Sequence, residues 1–228
     1  MKGWKIYVII GIILAAAVFA DPDPLGATLT PGSSSRGTNP TVTTADAQAG
    51  NVTALNINQD RITDIWQGFY GNVSGSVVLE NAAGNNFYDW SLATITGEVY
   101  ASRATVPSWT SINCTNQTQI DSEETLLSIA TTASDGINET FNITSHPNFN
   151  VGTRLMTGCF STRAYNSTGS AGNYWNVLLS SNSTNVVYTS ILADNADAFA
   201  GSTADFEILV PVDRLLTTST YYFYVELN

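Results

Sequence analysis

Residues 66–80 read W-Q-G-F-Y-G-N-V-S-G-S-V-V-L-E, and N-F-Y-D-W-S-L-A (86–93) and G-E-V-Y-A-S-R (97–103) follow shortly after. The pattern predicts three consecutive β-strands. Val73, Gly75, Val77 and Leu79 fall on one face at period two, while Ser74, Ser76 and Glu80 fall on the other. The Gly/Asn-rich run from Asn81 to Asn86 marks a turn. Tyr88, Trp90 and Leu92 then alternate with Asp89 and Ser91. A second turn at Thr96-Gly97 leads into Glu98–Ser102, with Val99 and Ala101 on one face. Each large aromatic here can bury roughly 150–250 Å², so the core is expected to nucleate in this stretch.

Working outward to the N-terminus, Lys2 and Lys5 precede an apolar run from Ile6 to Ala20. At about fifteen residues the run is shorter than the ~20 that span a bilayer as a helix. Val18 and Ala20 are small enough for positions −3 and −1 of a signal-peptidase site, so residues 1–20 read as a cleaved leader, with an uncleaved anchor as the alternative. Without the leader the chain has no lysine. Its six arginines (Arg36, Arg61, Arg103, Arg154, Arg163, Arg214) face nineteen carboxylates, a net charge of −13. Such a surface repels phosphate, which argues against nucleic acid and anionic membranes as partners. The absence of lysine excludes a Lys–Asn isopeptide staple and a lysine Schiff base.

The two cysteines, Cys114 and Cys159, read as a disulfide in an exported chain, closing a loop of about 45 residues and worth roughly 3–4 kcal/mol. A metal site would need more ligands than these and His146 provide, so neither metal nor cofactor is expected. Eight Asn-X-Ser/Thr sequons, at Asn51, Asn72, Asn113, Asn116, Asn138, Asn142, Asn166 and Asn182, are candidate glycosylation sites.

Residues 21–50 carry four prolines, Ser33–Ser35 and repeated threonine, with little apolar content beyond Leu25 and Leu29. They read as a flexible arm, in which Leu25–Thr30 and Thr41–Thr44 could become strands on another chain's sheet edge. A short strand is expected at Asn51–Asn58. A helix is expected at Gln117–Ala130, capped by Asp121 or Thr118, with Glu123 and Glu124 favouring its first turn and Ile120, Leu126, Leu127 and Ile129 on its apolar side. Further strands are expected at 151–156, 159–165, 174–179, 186–192, 206–210 and 220–227, the fourth and third of these pairing as a hairpin. Residues 51–228 thus predict a single mainly β domain, a two-sheet antiparallel sandwich of immunoglobulin-like or jelly-roll-like type with a short helical insert.

No catalytic constellation emerges. His146, the lone histidine, lacks a nucleophile motif and reads as a loop residue without a role. Asp89 and Glu98 are of the type a glycosidase pair requires, but nothing in their spacing singles them out. Asp194, Asn195 and Asp197 lack the 1,3,5 pattern of a calcium loop. In Tyr221–Tyr224, alternation sends Tyr222 and Tyr224 to one side and Tyr221 and Phe223 to the other, one set for the core and one for an interface.

W-Q-G-F-Y-G-N-V-S-G (66–75), F-Y-D-W (87–90), G-E-V-Y-A-S-R (97–103) and Y-Y-F-Y-V-E-L (221–227) resemble a recurrent set of small exported proteins from uncultured archaea of the DPANN kind. The resemblance spans most of residues 60–228. It implies an archaeal cell-surface location and assigns no catalytic residues. Together these readings predict a non-enzymatic extracellular structural protein. It would self-associate into a homopolymeric filament (thread- or pilus-like, by donor strands) or a surface coat. The alternative is a secreted carbohydrate-binding or adhesive module directed at cell-surface glycans.

Overall fold

The computed structural model describes residues 23–92, 94–182, 184–216 and 218–228; the leader expected at 1–20 and its cleavage site lie outside the described residues. The chain is mainly β. Its elements are β1 (Leu25–Gly26), β2 (Trp66–Gly71), β3 (Ser76–Glu80), β4 (Asn86–Ser91), β5 (Gly97–Ser102), β6 (Asn113–Cys114), α1 (Gln117–Leu126), α2 (Ile137–Thr140), β7 (Phe149–Val151), β8 (Arg154–Met156), β9 (Ser161–Tyr165), β10 (Ala171–Ser180), β11 (Val186–Ile191), β12 (Ala196–Asp197), β13 (Thr203–Ala204), β14 (Phe206–Pro211) and β15 (Tyr222–Leu227).

One antiparallel sheet of seven strands carries the core, in the order β1-β15-β5-β11-β10-β6, with β9 sharing the outer edge of β10. Both of its faces are covered, which is why the central strands are buried on successive residues rather than alternately. On one face Ala101, Leu178 and Tyr188 pack against Ile65, Ile208 and Val210 from the ribbon β2–β14 and against Ile120, Leu127, Ile137 and Phe141 from the helical segment. On the other, Tyr100, Val177, Leu179 and Val187 pack against Trp109, Ile112 and the hairpin β7–β8.

This architecture corrects the expected sandwich. Among the described residues the second layer is a two-stranded ribbon, not a second full sheet, and the remaining strands form small two-stranded pairs. The expected three-strand run at 66–103 also divides. β3 and β4 pair with each other, but β5 pairs with β11 on one edge and β15 on the other, leaving no backbone groups for β4. Gly97 makes the break: its φ of +127° and the close approach of the Glu226 carbonyl leave no room for a Cβ. The core is therefore centred on Tyr100, Tyr174, Tyr188 and Phe141 rather than on residues 66–92.

Three local expectations change as well. The strand expected at Asn51–Asn58 does not form, so the extended arm continues to the start of β2. The segment 151–156 is the turn and second arm of a hairpin, with Gly152 at a φ of +54°. Helix α1 begins at Gln117 as expected, but its cap is Asn116 rather than Thr118 or Asp121, and it ends earlier than its composition suggests. Asn116 caps it, its Oδ1 accepting from the Gln119 N–H while the Gln119 side chain accepts from the Asn116 N–H, a reciprocal pair that fixes the start; Ser128, at a φ of +57°, lies just past its end. Glu123 and Glu124 consequently lie inward, past the first turn, and Leu126 is exposed. No helix among the described residues is long and apolar enough to cross a membrane.

Candidate interaction surface

The ribbon β3–β4 leaves the body without covering it. Its register places Val77 opposite Trp90 and Leu79 opposite Tyr88, so these four apolar side chains share one face. The Tyr88 and Trp90 rings sit side by side, centroids 4.7 Å apart, and are 56% and 49% exposed. On the opposite side Val78 pairs with the exposed Asp89. The turn is closed by Asn81, whose Oδ1 accepts from the Ala83 and Asn85 N–H groups. The root is firm where the tip is free. Buried Asp205 accepts from the Val73 N–H at 2.7 Å and from the Asn195 N–H at 2.9 Å, and the Thr96 hydroxyl donates to the Asn228 carbonyl at 2.8 Å. Gly75 lies directly against the Leu227 side chain.

The second uncovered element is the arm. It starts as β1 against β15, where Leu25 is opposite Val225 and the Ala27 N–H donates to the Phe223 carbonyl, and then leaves the sheet. It touches the body again where Asn39 Oδ1 accepts from the Ile62 N–H at 2.8 Å and Gly37 lies against Ile62. The excursion between these points carries Val42, Val52, Leu55 and Ile57, all exposed, Val52 fully so at 102%. Residues 47–59 contain no charged side chain, bounded by Asp46 and Asp60.

Arm and ribbon emerge from opposite ends of β2. At its start Trp66 Nε1 donates to the Asp135 carbonyl and the Thr63 hydroxyl donates to the Asp135 carboxylate, both at 2.7 Å, and Arg214 pairs with Asp64 at 3.1 Å. At its end the Gly71 carbonyl accepts from the Asp205 N–H.

Cys114 and Cys159 are bonded to each other as expected. His146 corrects its reading as a residue without a role. It is buried, and its Nε2 accepts from the Cys159 N–H at 3.0 Å; since that amide can only donate, the ring proton is on Nδ1, which donates to the Pro147 carbonyl at 2.8 Å. The histidine thus holds the disulfide's second half in place.

Six sequon asparagines, Asn51, Asn72, Asn113, Asn116, Asn142 and Asn182, are exposed, and Asn138 and Asn166 are half-buried. Asn113, Asn116 and Asn182 line one polar hollow with Ser111, Gln119 and Ser180 beside the disulfide. Asn72 stands at the root of the ribbon, between β2 and β3.

The candidate acids are placed apart or put to structural use. Asp89 is exposed on β4 while Glu98 is buried in β5, so they do not face a common substrate. Glu98 instead lies opposite Glu226, whose carboxylate accepts from the Tyr100 hydroxyl and the Gly152 N–H, each at 2.9 Å. Glu123 accepts a two-point contact from Arg103 at 3.1 and 2.7 Å, and Glu124 accepts from the Asn138 N–H at 3.1 Å. Asp194 and Asp197 bond to Asn195 and Ser167, and no group of three or more metal-ligating side chains occurs among the described residues. The tyrosine run does not divide into a core and an interface set. Tyr221 and Phe223 pack on one core face and Tyr224 on the other, leaving Tyr222 exposed. The arm was legible as an unpacked segment over residues 21–50, but the ribbon was legible only as a strand pattern, and no sequence signal marked it as lacking a covering layer.

No protein family, curated protein or solved structure matches this chain.

Proposed function

We propose that this protein is a non-enzymatic extracellular structural subunit that self-associates into a cell-surface filament or coat. The observation that carries the reading is the amount of apolar surface left uncovered in two separate places, the β3–β4 ribbon and the arm. A solitary two-stranded ribbon is marginal in water unless a third strand or a packing partner joins it, and an exposed apolar face of this kind marks an interaction site. The edge strand β15 adds to the case, because β1 covers its outer side for two residues and then departs. The disulfide and the leader expected at residues 1–20 favour an oxidising, extracytoplasmic setting. Nineteen carboxylates with few cations suit a solvated outer surface, to which glycans at exposed sequons would add.

The test is the assembly state of residues 21–228 by light scattering and negative-stain microscopy. Regular polymers or sheets are expected; a monomer at millimolar concentration would defeat the reading. A second reading, a carbohydrate-binding or adhesive module, is favoured by the adjacent exposed rings of Tyr88 and Trp90. It requires binding on a glycan array that is lost in Trp90→Ala.

A further inference from the structure

We infer that the segment Val52–Ile57 of one copy adds as a third strand to the β3–β4 ribbon of the next, so that subunits join head to tail. The inference rests on the self-association reading above and names its two surfaces.

The two elements have complementary deficits. Among the described residues the ribbon has no neighbouring strand on either edge, and its apolar face of Val77, Leu79, Tyr88 and Trp90 is open. The arm segment has the composition of a strand but joins no sheet among the described residues: Thr53, Leu55 and Ile57 alternate with Val52, Ala54 and Asn56, and the run is exposed. Strand addition would satisfy the backbone groups of both and continue the apolar face across three strands.

Charge agrees with this pairing. In a chain carrying −13 without its leader, two copies repel wherever their surfaces are acidic. The segment 47–59 is uncharged, and so is the ribbon face it would meet, so this contact brings copies together without opposing carboxylates.

Geometry selects a second copy over the chain's own ribbon. Ile57 is tethered within about 18 Å of Ile62, five positions further along the chain. Ile62 sits before the start of β2, and the ribbon begins beyond its end, about 20 Å away along the strand. Reaching Val77 would draw the segment taut across its own body, whereas a neighbour's ribbon can approach freely. Because donor and acceptor are different surfaces that emerge from opposite ends of β2, the contact is heterologous and adds copies in one direction, giving an open filament wherever the rotation between copies does not close into a ring.

The experiment uses two variants of the full mature chain. Leu55→Asp with Ile57→Asp disables the donor, and Leu79→Asp with Trp90→Asp disables the acceptor. All four side chains are exposed, so thermal melts should match the wild type. Each variant alone is expected to remain monomeric by light scattering. An equimolar mixture should form one-to-one heterodimers and nothing larger, since one intact arm and one intact ribbon remain. As a check independent of these changes, a photo-crosslinking phenylalanine at position 55 should attach to residues 76–91 between isotopically heavy and light copies. Polymers from either variant, a mixture that stays monomeric, or crosslinks confined within one copy would overturn the inference while leaving self-association intact. A wild-type chain that never assembles would overturn both.

Discussion

At the residue scale, the buried polar groups make distinct predictions. Glu123 is inside the protein and meets one cation, Arg103, itself one-quarter exposed. Arg103→Ala would leave that carboxylate buried with little beyond the Tyr188 hydroxyl at 3.3 Å, and is expected to destabilise the fold by about 3 kcal/mol. A lower urea midpoint at unchanged slope would register it; an unaltered midpoint would mean that Glu123 rearranges to water. The tyrosines set the alkaline limit. Burial, reinforced by the charges of Glu98 and Glu226, pushes the Tyr100 phenol well above its usual value, and burial with Glu123 does the same to Tyr188. Burial and the charge of Glu207 raise Tyr174 to about 12. A group whose folded pKa is raised contributes stability that is complete below its unfolded value and is lost as pH rises. Melting temperature should therefore fall as pH rises above about 10, the unfolded tyrosine value. A melting temperature that holds level from pH 10 to 12 would contradict the burial of these hydroxyls.

Among the elements, the disulfide and the ribbon should behave oppositely. Cys114 and Cys159 are 45 residues apart and tie β6 to the segment before β9. Replacing both by serine is expected to cost roughly 3–4 kcal/mol through the freed loop entropy. His146→Ala should add to that loss in the oxidised protein, because the buried Cys159 N–H loses its acceptor, at about 1–3 kcal/mol. The ribbon, in contrast, contributes none of the three core clusters. Replacing residues 76–91 by a short Gly/Ser linker should leave the melting temperature within about 2 °C of wild type while abolishing assembly. A large drop in melting temperature would show that the ribbon supports the body after all.

For the molecule as a whole, the acidic charge governs how copies meet. Long-range repulsion is screened over about 10 Å at 0.1 M salt and about 3 Å at 1 M. Since the proposed contact is neutral and apolar, assembly should quicken and strengthen as sodium chloride rises from 0.01 to 0.5 M. Weakening with salt would instead indicate an interface built on ion pairs, which the six arginines would have to supply.

Composition and local pattern alone determined that the chain is mainly β, that Cys114 and Cys159 pair, that β10–β11 form a hairpin and that β15 is a strong terminal strand, because these follow from alternation, turn residues and cysteine count. The tertiary structure decided which strands join. β3, β4 and β5 have equally good strand patterns, yet β5 enters the core and the other two do not. Alternation fixes which side chains share a face, but not whether another layer arrives to cover it. That depends on β11 and β15, respectively about 90 and 125 residues downstream of β5, occupying both edges of β5. The same holds for Glu123 and His146. Their acceptors and donors come from Arg103 and Cys159, contacts that sequence spacing does not encode and that exist only once the chain has closed on itself.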